Sequence, residues 1–368
     1  MAPLSKRVVS AGERALRRSS VPSQIATSDF FTESDGVRAR FARVINAPDQ
    51  TRIAIIPAVS YGMSVIARNT TLEQGQNIVV VDEQFPSNIY TWRRTCVITG
   101  AELRTVPTPE TSVGRGREWN AAILEAIDDR TGLVTIPQLH WVDGTCFDLE
   151  RIGARARNCG ARFVVDGSQS VGAYPFDIQR VQPDALVCAG YKWLTGPYSI
   201  GLAYFGPAYD NGVPLEETWI ARRGSEDFSG LVRYRDEYQP GAIRYDVGER
   251  SNFILLPLLT EALEQVLEWG SKDVQAYCRA LTREAVDELR AMGCWIEEDG
   301  ARGAHLFGIR MPPTVEIPKL VDALHAAKIS VSVRGNTIRI APYVYNEPDD
   351  VAALVAVARK IIDQSRNA

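Results

Sequence analysis

The sequence of 368 residues lacks the features of several specialised classes of protein. It has no run of about eighteen apolar residues, so we expect no segment that spans a bilayer. Its three histidines and six cysteines are dispersed, without a C-x-x-C pair, so we expect no metal site and reduced thiols in a cytoplasmic protein. Basic residues are spread along a chain of net charge −4, so we expect neither nucleic acid nor a membrane as partner.

The amino-terminal stretch MAPLSKRVVSAGERALRRSSVPS has five basic residues, one acidic residue and several serines. This composition allows two interpretations, an organellar transit peptide or an amphipathic first helix. We favour the helix, and we assign residues 1–24 to an N-terminal arm.

Short apolar, β-branched segments alternate with helical patterns in the first two thirds of the chain. The strand segments are TRIAIIP, QNIVVVDE, TGLVTIPQ, ARFVVDG, DALVCAG and IGLAYFG; SYGMSVIARNTTLEQG, EWNAAILEAIDDR and DLERIGARARNCG have helical spacing. This alternation predicts an α/β fold with a mainly parallel sheet covered by helices on both faces. Ligands of such sheets bind at the carboxyl ends of the strands.

A different pattern follows at about residue 255. NFILLPLLTEALEQVLEWG and VQAYCRALTREAVDELRAMG are long amphipathic segments, HLFGIRM, ISVSVR and TIRIAP resemble strands, and DVAALVAVARKIID closes the chain as a helix. We therefore predict a large α/β domain over residues 25–255 and a smaller α+β C-terminal domain over residues 256–368.

An acid and an amine are expected at the same edge of the predicted sheet. Asp166 ends one strand, and Lys192 follows the next one within AGYKWLTG. A lysine near strands is ordinarily a surface residue, but its pairing with Asp166 favours a ligand site. Pyridoxal phosphate needs a lysine that forms a Schiff base with its aldehyde and a carboxylate that keeps its ring nitrogen protonated.

Two upstream segments could hold the rest of such a cofactor. IAIIPAVSYGMSVIARN predicts a strand, a turn and a helix whose first amides, near Val59 and Ser60, could bind a phosphate. Phe85 follows a strand in EQFPSNIYTW and could stack on a pyridine ring, although packing in the core is the commoner role of a phenylalanine.

Several segments together resemble the motifs of class V aminotransferase-type enzymes, the fold type I group of pyridoxal-phosphate proteins that includes cysteine desulfurases and kynureninases. These segments are VVDGSQSVGAYPFDI, AGYKWLTGPYSIGLAYFG, EQFPSNIYTW and TIRIAPYVYN, in that family's order. The resemblance implies a seven-stranded sheet in the large domain, pyridoxal 5'-phosphate as the cofactor, and a homodimer.

The resemblance also implies roles for individual residues. Lys192 would form the Schiff base, Asp166 would pair with the ring nitrogen, and Gln169 would bind the ring hydroxyl. Phe85 would stack on the ring, and Tyr191 would bind the phosphate, as in kynureninases. The remaining residues implied to bind the cofactor are Val59, Ser60, Trp141 and, from the neighbouring subunit, Ser251 or Asn252. We interpret His140, beside Trp141, as a packing residue.

Arg339 is the predicted substrate residue, because the matching arginine of the family binds the substrate carboxylate through a bidentate pair. Arg334 would lie on the opposite face of a continuous strand and is the weaker candidate. Desulfurases need a mobile cysteine just before the carboxylate arginine, whereas ISVSVRGNTIRI has none and Cys294 lies about 45 residues upstream. Persulfide chemistry is therefore not expected.

The reaction stays open at this point. We predict an aminotransferase acting on an α-amino acid. The alternatives are a β-eliminating carbon–sulfur lyase, similar to cysteine-conjugate or selenocysteine lyases, and a decarboxylase. A scaffold without catalytic activity would have no reason to combine Lys192, Asp166 and Arg339.

Overall fold

The main sheet of the computed structural model, which describes residues 1–366, has seven strands. They are β1 (Ile53–Ile56), β2 (Asn77–Val81), β3 (Glu102–Val106), β4 (Thr131–Pro137), β5 (Arg162–Asp166), β6 (Ala185–Ala189) and β7 (Gly201–Phe205). Their spatial order is β1-β7-β6-β5-β4-β2-β3. β7 runs antiparallel to both its neighbours, and the other pairs are parallel. The predicted mainly parallel sheet is confirmed.

β3 is the one strand of this sheet that the sequence did not predict. Its sequence, ELRTV, has a single buried residue, Val106, because the strand lies at the edge of the sheet. An edge strand has few apolar contacts, so it lacks the apolar run that identifies its neighbours.

Helices cover both faces of the sheet. The large α/β unit contains α1 (Lys6–Ser19), α2 (Asp29–Val44), α3 (Val59–Arg68), α4 (Tyr90–Thr99), α5 (Arg115–Ala126), α6 (Leu149–Asn158), α7 (Ile178–Val181) and α8 (Leu255–Trp269). The next helix, α9 (Ser271–Ala291), leads to the smaller sheet. Alternate residues of β1 and β2 enter two separate apolar cores, one with α2, α5, α6 and α8 and the other with α3 and α4. Burial on both faces explains why these strands are apolar throughout.

The smaller sheet is antiparallel, in the order β8-β10-β9. Its strands are β8 (Phe307–Arg310), β9 (Ser332–Arg334) and β10 (Thr337–Ile340), and α10 (Ile317–Ala326), α11 (Pro348–Arg366) and α9 pack around them in a core of their own. The predicted domain boundaries at residues 24 and 255 stay predictions. Residues 367 and 368 of the predicted small domain lie outside the described residues.

The predicted amphipathic first helix is present as α1, which packs on α8. Ser5 caps it by accepting a hydrogen bond from the Val8 amide, and Arg7 forms ion pairs with Glu261 and Glu268 of α8. None of the helices within residues 1–366 combines the length and the apolar character that crossing a membrane requires.

A buried ionic cluster connects the large sheet to the segment that precedes β8. Arg115 of α5 lies 3.0 Å from the carboxylate of Asp143 and 3.1 Å from that of Glu297, and all three side chains are at most 1% exposed. Burial raises the pKa of Asp143, but His140 and Arg115 outweigh it and hold the pKa well below its ordinary value. The Arg115 guanidinium therefore joins two buried carboxylates, and His140 and Thr145 also contact that of Asp143.

Removing that guanidinium should destabilise the protein strongly. Arg115→Ala would leave Asp143 and Glu297 buried without their shared partner, and we expect a loss of about 3–5 kcal/mol in the free energy of unfolding. Arg117→Ala, on an exposed face of the same helix, is the matched control and should change stability little. Urea denaturation of the two variants measures their free energies of unfolding. Equal losses would show that the ionic cluster does not stabilise the fold.

Candidate active site

The carboxyl ends of β4, β5 and β6 border a cavity of about 290 Å³. Eight of the residues predicted to bind a cofactor line it, namely Val59, Ser60, Phe85, Trp141, Asp166, Gln169, Tyr191 and Lys192. The cavity therefore lies where parallel sheets of this type bind ligands.

Lys192 stands on a tight loop between β6 and β7. Gly190 donates its amide to the Ile200 carbonyl at 3.1 Å, and a Cβ at Gly190 would lie only 2.4 Å from that oxygen. Thr195 and Ser199 of the same loop adopt positive φ angles of 53° and 65°, a region that non-glycine residues rarely occupy. Strain of this kind occurs where the surrounding structure fixes a functional loop.

The environment of Lys192 makes its charged form less favourable than in water. Its ammonium lies 5.1 Å from the centroid of the Phe85 ring. Burial lowers its pKa to about 8; Asp166 opposes this shift, and Arg339 and Arg334 add to it. A lysine with such a pKa supplies both a nucleophilic amine and a proton acceptor near neutral pH.

Asp166 is held at the end of β5 by the loop that follows it. One carboxylate oxygen accepts a hydrogen bond from the Ser168 amide at 2.9 Å, and the Ser168 hydroxyl accepts one from the Ala189 amide at 3.2 Å. These contacts fix the carboxylate relative to β6, whose end leads directly to Lys192. The side chain is 6% exposed, so its charge acts in a poorly solvated space.

Two aromatic rings form one wall of the cavity. Phe85 and Trp141 meet edge to face, with ring centroids 5.3 Å apart. The Trp141 indole donates a hydrogen bond to the Glu83 carbonyl, which fixes its orientation. His140 does not line the cavity; it is fully buried, 5.0 Å from the ring of Trp119, as expected of a packing residue.

The N-terminus of α3 offers amides for a phosphate. The helix begins at Val59, and its preceding residue, Ala58, is extended and provides no side-chain cap. The antiparallel pairing of Ile56 with Gly201 places this turn beside the end of the Lys192 loop. Tyr191 also lines the cavity, with its ring centroid 4.5 Å from that of Tyr198.

Ser251 and Asn252 lie apart from this cavity within the subunit. The Ser251 hydroxyl donates to the Phe30 carbonyl at 2.6 Å, and the Asn252 carboxamide accepts from the Leu255 amide at 2.9 Å, at the start of α8. Both residues line a separate hollow beside Trp219. Their contact with the phosphate of a partner subunit, like the homodimer itself, stays a prediction.

Arg339 lines a smaller cavity next to the first one, and it shares this cavity with Lys192 and Gln169. Its guanidinium donates to the Trp141 carbonyl at 3.0 Å. Met1 and Ala2, which we assigned to the N-terminal arm and not to the site, also line this cavity, and the Ala2 amide donates to the Tyr191 carbonyl at 3.1 Å.

The expectation that Arg334 faces away from Arg339 is wrong. It assumed one continuous strand, but β9 and β10 form a hairpin that turns at Gly335, whose φ is 55°. Arg339 pairs with Ser332, and Arg334 lies two residues beyond Ser332, so both arginines share one face of the hairpin. Their guanidinium carbons lie 5.0 Å (Arg334) and 5.9 Å (Arg339) from the centroid of the Trp141 ring.

His305 lies behind the cavity wall, where it contacts Gln169. The sequence did not predict this role, because a lone histidine beside a short strand has no distinguishing pattern. Its Nε2 donates to the backbone carbonyl of Gln169 at 2.8 Å, and its Nδ1 accepts from the side-chain carboxamide of Gln275 at 2.7 Å. Burial lowers its pKa to about 4, although the bond to Gln169 opposes this shift. A neutral imidazole thus joins α9 to the loop that bears Gln169.

The side chains around the larger cavity fit pyridoxal phosphate. Lys192 can bond to the aldehyde, Asp166 can pair with the ring nitrogen, the Phe85 ring can stack on the pyridine, and the uncapped turn of α3 can bind the phosphate. Within residues 1–366, no group of three or more metal-ligating side chains is placed to hold a metal ion.

Comparison with known proteins gives one family and several relatives. The sequence model of the aminotransferase class-V family matches residues 3–354. A cysteine desulfurase of Salmonella newport is 34% identical over 262 residues, and one of Enterobacter is 31% identical over 268 residues. Each match covers 70% of this chain and 62% of the relative, so the chain matches less than two thirds of the length of these desulfurases. An uncharacterized protein of Schizosaccharomyces pombe is 21% identical over 89% of the chain and 74% of its own length.

Solved structures share the fold. The cysteine desulfurase CsdA of Escherichia coli superimposes with a TM-score of 0.81 at 19% identity, covering 98% of this chain and 92% of its own. The cystine C–S lyase C-DES, in complex with cysteine persulfide, gives a TM-score of 0.83 at 18% identity and covers 96% and 94%. The predicted fold type I architecture is confirmed.

His305 should make the stability of the protein depend on pH. The folded state keeps this imidazole neutral down to about pH 4, whereas the unfolded chain protonates it at about pH 6.5. The contribution of His305 to the free energy of unfolding is therefore complete above pH 6.5. It is lost as the pH falls toward 4, by up to about 1.4 kcal/mol per pH unit.

Urea denaturation of wild type and His305→Gln between pH 7.5 and roughly pH 4.5 measures this contribution. In the His305→Gln variant, the free energy of unfolding should depend less on pH than in wild type. His325→Gln, at an exposed position, should keep the dependence of wild type. Parallel stability curves for wild type and His305→Gln would contradict the assignment.

Proposed function

Because the chain belongs to the class-V aminotransferase family, and pyridoxal phosphate is its cofactor, we propose that it removes the α-proton of an α-amino acid and transfers the amino group. The observation that supports this proposal most directly is the position of Lys192. This half-buried residue lines both the cavity that contains Asp166 and the cavity that contains Arg339.

Bound pyridoxal phosphate supplies an aldehyde for covalent attachment of amines and a pyridinium ring that withdraws electrons from the α-carbon. Lys192 would hold the cofactor through Nζ. Once free, the same Nζ would accept the α-proton of the substrate, and a pKa near 8 suits that exchange. Asp166, fixed by Ser168, would stabilise a proton on the ring nitrogen.

Arg339 is proposed to bind the α-carboxylate of the substrate. Burial lowers its pKa to about 10, which is still high enough to keep it charged at neutral pH. Its bond to the Trp141 carbonyl fixes the guanidinium while other N–H groups can face the cavity. A carboxylate held there places the α-carbon between Arg339 and Lys192.

The cysteines give no support to a desulfurase mechanism. All six lie in the described part of the chain, and none of them lines either cavity. Cys188, on β6, is fully buried, and burial and the nearby Asp166 raise its thiol pKa well above the ordinary value. Cys294 lies in the core of the smaller sheet. No thiol is placed to take sulfur from a substrate.

β-Elimination from a sulfur-containing amino acid is the second candidate. The curated relatives with about one third identity are named cysteine desulfurases, and one similar structure is named a cystine C–S lyase. Elimination needs the same proton transfer by Lys192 but no protein thiol. Decarboxylation has less support, because the proposed pair with Arg339 retains the carboxylate.

Product analysis separates the two reactions. In the absence of a keto-acid acceptor, transamination should convert the cofactor once to its amine form and release one equivalent of keto acid. Elimination would instead release ammonia and pyruvate continuously. Lys192→Ala should abolish the reaction and the absorbance band of the covalently bound cofactor, whereas the exposed Lys272→Ala should change neither. Normal turnover by the Lys192→Ala protein would refute the proposed function.

The role of Arg339 can be tested by separating substrate binding from cofactor binding. Arg339→Lys keeps the charge but loses the planar fork, so KM should rise while the cofactor spectrum stays unchanged. Arg339→Ala should lower kcat/KM about 10- to 100-fold, the effect of a charge-assisted pair worth about 1.5–3 kcal/mol. Steady-state kinetics on an amino acid and its decarboxylated amine provide the control, since the amine should be equally poor for all three proteins. Equal losses on both compounds would assign Arg339 a structural role.

A further inference from the structure

The two cavities are bordered by more positive than negative charge. Lys192, Arg339 and Arg334 influence one another electrostatically, and Asp166 is the one acid that raises the pKa of Lys192. Within residues 1–366, neither Arg339 nor Arg334 forms an ion pair with a carboxylate, although most other partly buried arginines of the chain do. Arg339 lines the smaller cavity, and Arg334, which lines neither cavity, lies against the ring of Trp141 in the wall of the larger one. Two neighbouring guanidinium groups at this site therefore have no negative partner.

Arg334 is fixed by neighbours that leave its charge uncompensated. One terminal nitrogen donates to the Val333 carbonyl at 2.7 Å, and the guanidinium stacks on the ring of Trp141. Its Nε is shielded from solvent and has no hydrogen-bond partner. A buried donor without a partner is costly, and a ligand acceptor would remove that cost.

Arg339, on the neighbouring strand, also has a buried donor without a partner. Its terminal nitrogens reach the Trp141 carbonyl at 3.0 Å and the Ser332 hydroxyl at 3.4 Å, while its Nε is buried without a partner. Burial and then the charge of Arg334 lower its pKa to about 10, and no acid opposes this shift. The charge of Arg334 thus makes that of Arg339 less favourable.

The cofactor phosphate does not balance this pair. Its proposed cradle is the Val59–Ser60 turn, which lines the larger cavity, whereas Arg339 lines the smaller one. The aromatic wall of Phe85 and Trp141 belongs to the larger cavity, and both arginines contact the Trp141 ring. One substrate carboxylate would neutralise only one of the two arginines.

We propose that the substrate is an amino acid with a second acidic group in its side chain, and that Arg334 binds this group while Arg339 binds the α-carboxylate. The proposal rests on the proposed function and specifies its substrate class. Trp141 acts as the shared support, because its ring lies against both guanidinium groups and its carbonyl holds one of them. A neutral side chain in the same place would leave Arg334 without a counter-charge in a poorly solvated site.

Binding of unreactive acids tests the proposal without any turnover. Calorimetry on the cofactor-loaded protein should show that succinate and glutarate bind about 10- to 100-fold more tightly than their monoamides, which have the same shape but one charge fewer. Arg334→Gln should reduce the affinity for the diacids to that for the monoamides and leave the monoamides unchanged. Arg334→Lys should retain part of the preference, since it keeps the charge without the fork. Arg151→Gln, at an exposed position on α6, should behave as wild type.

Kinetics on aspartate, asparagine, glutamate and glutamine provide the second measurement, with the acidic member of each pair preferred by a similar factor. Equal affinities of the wild type for diacids and monoamides, including no measurable binding of either, would overturn the proposal. An Arg334→Gln protein whose affinity falls by the same factor for diacids and for monoamides would also overturn it. A preference for diacids in a protein that turns over no amino acid would refute the proposed function instead and leave the diacid site standing.

Discussion

The site depends on a lysine amine kept poorly solvated within reach of one carboxylate. Water removal lowers the pKa of Lys192, and Asp166 limits that shift, so the amine stays close to its titration point at neutral pH. Neither residue could do this from a flexible segment. The loop closed by Gly190 and Ile200 holds Lys192, and the amide and hydroxyl of Ser168 tie Asp166 to β6.

The smaller sheet contributes to this arrangement through contacts that are not themselves catalytic. Arg115 joins Asp143, in the loop after β4, to Glu297, which precedes β8. His305 joins the Gln169 loop to α9 through two hydrogen bonds. Both are fully buried, so displacement of the segment that bears Glu297 and His305 would leave buried polar groups without partners. These contacts connect the segment before β8, which pairs with the Arg339 strand, to the loops beside the larger cavity.

Gln169, Tyr191 and Trp141, which line the larger cavity, were implied by the resemblance to class V enzymes. The sequence pattern by itself predicted that Asp166 and Lys192 lie at one edge of the sheet, because the carboxyl ends of parallel strands share an edge. It failed where contacts, rather than local pattern, decide the structure. β3 has one buried residue and no apolar run. The position of Arg334 depends on a hairpin turn at Gly335, which the strand pattern does not predict. The role of His305 depends on its contacts with Gln169 and Gln275, which are distant in the chain.

The antiparallel pairing of β1 with β7 has a consequence for how the protein folds. It joins Ile53 to Tyr204 and Ile56 to Gly201, across about 150 residues of chain. Closing so long a loop is entropically expensive and is slow in folding. During synthesis, β1 has no strand partner until β7 has left the ribosome, because β7 is its one neighbour in the sheet. The α3 turn, made early, therefore meets the Lys192 loop about 150 residues later.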